Sequence, residues 1–71
     1  MTTRVEVRAD NGHSDTLEMD AGDAAHGPSL AAVLREWGEA VDATAVWFRV
    51  GGKWPGTLDL DNPAAMPQEV M

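Results

Sequence analysis

The sequence predicts an α+β domain, a four-stranded mixed or antiparallel sheet with one helix packed on one face. Three observations predict it. Two short segments, Arg4 to Arg8 and Thr16 to Asp20, alternate polar and apolar residues around an Asn11-Gly12 pair. A central segment repeats apolar residues at helical spacing. Two further alternating segments, Ala45 to Val50 and Thr57 to Asp61, follow it. A helix laid on one apolar face of the sheet is the two-layer arrangement that buries both.

The first hairpin carries a parity constraint. Val5, Val7, Leu17 and Met19 are its inward residues, and all are odd-numbered. Opposed residues of a hairpin point to the same face, so paired numbers must sum to an even value. A two-residue Asn11-Gly12 loop pairs Asp10 with His13, an odd sum, and turns every apolar side chain to water. The sequence therefore predicts a loop of three or five residues, or a bulge, with Gly12 at positive φ.

From Met19 to Ser29 the chain is acidic and small, and reads as a connection with room for one helical turn. Pro28 suits the first position of a helix, with Gly27 as its N-cap. Leu30, Val33, Leu34, Trp37 and Val41 then fall within a roughly 100° arc. Arg35, Glu36 and Glu39 point the other way. Gly38 lowers helix propensity by about 1 kcal/mol relative to Ala, yet Val41 stays on the stripe, so the helix is expected to pass it. In the third strand Val46, Phe48 and Val50 face inward, and Trp47 and Arg49 outward. Gly51-Gly52 ends that strand, and Trp54-Pro55-Gly56 is expected in a turn or bulge. Leu58 and Leu60 are the inward residues of the fourth strand. Residues 62–71, with two prolines and no periodicity, are expected to form a loosely ordered tail after a single domain spanning 1–61.

Composition excludes several classes. The chain has 71 residues, 12 acidic and 5 basic, for a net charge of -7. It has no Cys, which removes disulfides, thiolate zinc sites and a Cys nucleophile. Its apolar runs are too short to span a membrane, and no signal-peptide core opens the chain, so a cytoplasmic location is expected. The negative charge argues against direct nucleic-acid binding. Richness in Ala, Gly, Pro and Arg hints at a GC-rich bacterial or phage genome. No cofactor is expected.

The order strand-strand-helix-strand-strand over residues 4 to 61 resembles the β-grasp domains, the group containing ubiquitin, the sulfur carriers and the immunoglobulin-binding domain of protein G. The carriers and ubiquitin end in an activated Gly-Gly. This chain ends in Glu69-Val70-Met71, and its Gly51-Gly52 lies between strands, so the resemblance implies no carrier function here.

No catalytic constellation stands out. His13, Ser14 and Asp15 are adjacent turn residues and cannot converge as base, nucleophile and orienter. Asp20, Asp23 and His26 have the spacing of a helical face but match no metal-binding motif. What remains is surface. The outward set is Arg4, Glu6, Arg8, Thr16, Glu18, Asp20, Trp47, Arg49, Asp59 and Asp61, and Trp47 does not suit a solvated face. The expected function is therefore a small non-enzymatic module that binds another protein or a second copy of itself. Its contact residues would be Trp47, Trp54 and Arg49 with Glu18, Asp20, Asp59 and Asp61. The alternative is an acidic inhibitor whose carboxylates, spaced roughly 6.8 Å apart along strands, imitate a phosphate backbone. A third course is that the tail covers Trp47 through Met66 or Val70.

Overall fold

The computed structural model describes residues 1–51 and 56–69. In chain order the elements are β1 (Thr2–Ala9), β2 (Ser14–Asp20), α1 (Ala21–Ala24), α2 (Gly27–Ala40), β3 (Ala45–Val50), β4 (Gly56–Asp59) and β5 (Gln68–Glu69). A four-stranded antiparallel sheet, in the order β2-β1-β3-β4, carries the two-residue β5 beside β4.

β1 runs antiparallel to both β2 and β3, so β2 and β3 are parallel to each other with β1 between them. Parallel strands need a crossover connection, and the helical segment supplies it. That crossover carries α2 over one face of the sheet, and among the described residues no element covers the other face. The likeness to β-grasp domains holds for element order. At the sheet centre β1 lies antiparallel to β3.

The hairpin obeys the parity rule. Val5 pairs with Leu17 and Thr3 with Met19, and every pair sums to an even number. Asp10, Asn11 and Gly12 form a three-residue loop. The Ala9 N–H donates to the His13 carbonyl at 2.7 Å, and the Gly12 N–H donates to the Ala9 carbonyl at 3.2 Å. Gly12 sits at φ 95°, where a side chain would be strained. The loop is tied down at both ends of the next connection. Asn11 Nδ2 donates to the Val41 carbonyl at 2.7 Å, and the Asp10 carboxylate accepts from both the backbone and the hydroxyl of Thr44.

α1 is the single helical turn, capped by the Asp20 carboxylate, which accepts from the Gly22 N–H at 2.9 Å. α2 passes Gly38 as expected. Its N-cap is His26 rather than Gly27, with Pro28 in the first turn. Its C-terminus closes in a Schellman arrangement: the Ala43 N–H donates to the Gly38 carbonyl at 2.9 Å and the Asp42 N–H to the Glu39 carbonyl at 3.2 Å. Asp42 takes the left-handed conformation there, at φ 58°.

The core is Val5, Val7, Val46, Phe48 and Leu58 from the sheet against Ala24, Leu30, Ala31 and Leu34 from the helices. The buried stripe of α2 is Leu30, Ala31, Leu34 and Gly38, with Val33 and Trp37 half-buried on one flank. It is rotated by roughly 60° from the stripe the large residues define, at 100° per residue. The cause is size. The helix meets the sheet along Ala31 and Gly38, where small residues permit close approach. A Cβ on Gly38 would stand 2.9 Å from Val46 Cγ2 and would collide with Leu60 Cδ1.

The second half differs from the sequence reading in three places. Gly56 is a strand residue opposite Phe48, and a Cβ there would collide with the Phe48 ring. Leu60 and Asp61 lie in a turn beyond β4 rather than in the strand. Residues 62–69 meet α2 and β4. Arg35, expected to face solvent, is half-buried and donates to the carbonyls of Leu60, Asn62 and Ala65. Met66 reaches Gly27, so the chain runs back along α2 before β5 pairs with β4.

Candidate binding surface

Strand parity places Arg4, Glu6 and Arg8 of β1 on the uncovered face, with Ser14, Thr16, Glu18 and Asp20 of β2, Trp47 and Arg49 of β3, and Thr57 and Asp59 of β4. Of these Thr57 is half-buried and the rest are exposed. The registers turn this set into a grid. One row across the sheet reads Ser14, Arg8, Trp47, Thr57, Gln68. The next reads Thr16, Glu6, Arg49, and the next begins Glu18, Arg4.

Trp47 therefore stands near the middle of the sheet, between Arg8 and Thr57, and is 47% exposed. Its neighbours in sequence, Val46 and Phe48, are buried on the opposite face, so the core is complete without the indole. Met66 does not cover it, being beside Gly27 on the helix side. Val70 and Trp54 lie outside the described residues.

The expected contact residues divide. Trp47 and Arg49 stand on adjoining strand positions of the open face. Glu18 lies opposite Arg4, at the β2 edge. Asp20 is occupied: its carboxylate caps α1 and lies 3.8 Å from the terminal amine of Met1. Asp59 accepts from the Asp61 N–H at 2.9 Å in the turn that ends β4. Asp59 and Asp61 are thus not an in-line pair along one strand, and no evenly spaced carboxylate row forms. Asp20, Asp23 and His26 do not close on a common point, and among the described residues no three His, Asp or Glu side chains are placed to hold a metal ion. Ser14 and Asp15 are consecutive strand residues and point to opposite faces.

Three of the chain's few cationic residues gather on this face. Arg4, Arg8 and Arg49 all lie on the open face, and among the described residues none of the three guanidiniums makes an ion pair or a hydrogen bond within the chain. Glu6 sits among them, two residues from Arg4 and from Arg8 on its own strand and opposite Arg49 on β3. Glu18 lies opposite Arg4, so the three arginines stand among two carboxylates, Glu6 and Glu18, on a chain of net charge -7. A shallow depression of about 540 Å³ on this face is lined by Arg8 and Arg49, by Glu6 and Asp15, and by Ser14, Thr16 and Trp47, with Arg4 outside it. The signal was in the strand parity, but only the β1–β3 register brings Arg8 to Trp47 and Arg49 to Glu6, and that pairing joins residues about 40 apart.

Among the described residues no helix is long and apolar enough to cross a membrane. No family model matches the chain, and neither the curated proteins nor the solved structures contain a match.

Proposed function

We propose that this chain is a non-enzymatic protein-binding module whose contact surface is the sheet face opposite α2, with Trp47 as its anchor. One observation carries the reading: a Trp 47% exposed near the middle of an uncovered sheet, serving no core. Desolvating an indole yields more than desolvating any other single side chain, and contact hot spots are rich in Trp and Arg. Trp54 joins the reading on sequence grounds alone.

The size of the face sets the class of contact. Four strands about 4.8 Å apart, with residues rising roughly 3.4 Å each, give a footprint of roughly 400 Å². A standard interface takes about 800 Å² from each partner. The contact therefore belongs to the transient kind. Imitation of a nucleic-acid backbone draws less support, since Arg4, Arg8 and Arg49 interrupt the carboxylates and Asp20 and Asp59 are engaged locally.

The test is capture of partners from lysate by wild type and by Trp47→Ala, eluted in steps of rising salt. Trp47→Ala should stay folded within about 0.5 kcal/mol of wild type, as exposed positions do, and should lose the partner. A partner kept by Trp47→Ala but lost on neutralising Glu18, Asp20, Asp59 and Asp61 would favour the acidic inhibitor. Concentration-dependent dimerisation abolished by Trp47→Ala would make the partner a second copy.

A further inference from the structure

We propose that Asn11 is a site of spontaneous deamidation that the fold holds closed, and that the reaction proceeds only when the hairpin end opens. The proposal does not depend on the binding face.

The chemistry is that of an Asn-Gly dipeptide in water. The Gly12 backbone nitrogen attacks Asn11 Cγ, forming a nitrogen–carbon bond, and its proton passes to solvent base. The Cγ–Nδ2 bond breaks, ammonia leaves, and a succinimide ring is closed. Water then opens the ring at either carbonyl and gives aspartate or isoaspartate at position 11. No other reactant is needed. A glycine in second place leaves the attacking nitrogen unshielded by a side chain, and both residues are exposed, so water reaches them. The chain's other asparagine, Asn62, precedes Pro63, whose nitrogen carries no proton to give up, so this route is confined to Asn11.

In the folded chain both reacting groups are engaged. The Gly12 N–H donates to the Ala9 carbonyl at 3.2 Å. The departing group, Nδ2 of Asn11, donates to the Val41 carbonyl at 2.7 Å, and Asn11 Oδ1 accepts from the His13 N–H at 3.4 Å. Attack requires the amide carbon to close on the Gly12 nitrogen and the amide nitrogen to depart, and these bonds oppose both. Next to it the Asp10 carboxylate accepts from the Thr44 backbone and hydroxyl. Two successive loop residues are thus anchored to the connection between α2 and β3. Release needs those anchors broken and leaves the core intact, so it is a local opening.

The product cannot close in the same way. A carboxylate at position 11 has no proton for the Val41 carbonyl and faces that oxygen with a negative charge, beside the Asp10 carboxylate. Isoaspartate adds a methylene to the main chain inside a three-residue loop whose length the pairing of β1 with β2 requires. Each event is therefore one-way.

The experiment incubates the intact chain in mildly alkaline buffer, folded and in parallel unfolded in urea, and follows deamidation by mass spectrometry with peptide mapping. Asn11 should react in urea and be slowed by about tenfold or more in the folded chain. Thr44→Val, which releases Asp10, should speed the folded reaction several-fold. Val50→Ala, at the opposite end of β3 from the hairpin loop, should not, although it weakens the packing of the core. Asn11→Asp should melt below wild type. Equal rates with and without urea, or no reaction in urea, would overturn the protected site. Acceleration by Val50→Ala equal to that by Thr44→Val would place the step on global unfolding and overturn the local opening. Asn11→Asp melting at or above wild type would overturn the one-way product.

Discussion

Replacing Gly38 by Ala separates two physical accounts of the helix. Propensity alone makes the change favourable by about 1 kcal/mol, since Gly38 lies inside α2. Packing makes it unfavourable. Gly38 is buried, and the added Cβ would lie 2.9 Å from Val46 Cγ2, against an ordinary carbon–carbon contact of about 3.5–4.0 Å. Leu60 Cδ1, which the Cβ also meets, is the tip of a half-buried side chain and can swing aside. Val46 cannot. It is fully buried, β-branched and held in β3 between β1 and β4. The helix itself must lift, and overpacking of this kind costs about 1–3 kcal/mol. The balance is a destabilisation of about 1 kcal/mol, or a fall of about 4–8 °C in melting temperature for a domain this small. Urea and thermal unfolding followed by circular dichroism would measure it. Leu60→Ala in the same chain should recover part of the loss, because it relieves one of the two contacts. Gly38→Ala raising stability by about 1 kcal/mol would refute the close approach of α2 to the sheet.

Two other predictions follow from the connections at the hairpin end. Asp42→Gly should raise the melting temperature by a few degrees, about 0.5–1 kcal/mol, because a residue at φ 58° sits more easily there without a Cβ; a lower melting temperature in thermal unfolding would contradict the left-handed cap. The Thr44 hydroxyl, then its backbone N–H, holds the Asp10 carboxyl below its ordinary pKa. A depressed folded pKa adds stability that is present above the unfolded value, about pH 4, and is lost as pH falls through the folded one. Melting temperatures from pH 6 to pH 2 should therefore show wild type above Thr44→Val at neutral pH and the gap narrowing in acid; a gap constant with pH would remove the Asp10–Thr44 contact as its source.

Periodic features were legible in the sequence because each reports a local contact. Alternation at Val5 and Val7 and at Leu17 and Met19 located the hairpin, and parity alone restricted its loop. What was illegible depends on contacts distant in sequence. Nothing in residues 62–69 is periodic, yet Arg35 holds the carbonyls of that segment and β4 offers it an edge. The stripe on α2 was read from large side chains, whereas the helix seats itself by Ala31 and Gly38. Trp47 and Arg49 were placed on the outer face by parity. Parity placed Arg4 and Arg8 there too, but only strand order sets them beside Trp47 and Arg49.

Strand order also explains why arginines stand in the middle of the open face of an acidic chain. Because β1 lies between β2 and β3, its outward residues Arg4, Glu6 and Arg8 occupy the middle of the open face. Had β2 taken that central place, Glu18 and Asp20 would stand beside Trp47 and the arginines would lie at an edge. The same connection that forces α2 across one side of the sheet, the parallel crossover from β2 to β3, leaves that central strand uncovered on the other. The fold thus sets the bare face, the central arginines and the exposed indole together. They belong to one surface, and under the proposed binding function a substitution at Trp47 or at either flanking arginine, Arg8 or Arg49, should weaken the same contact.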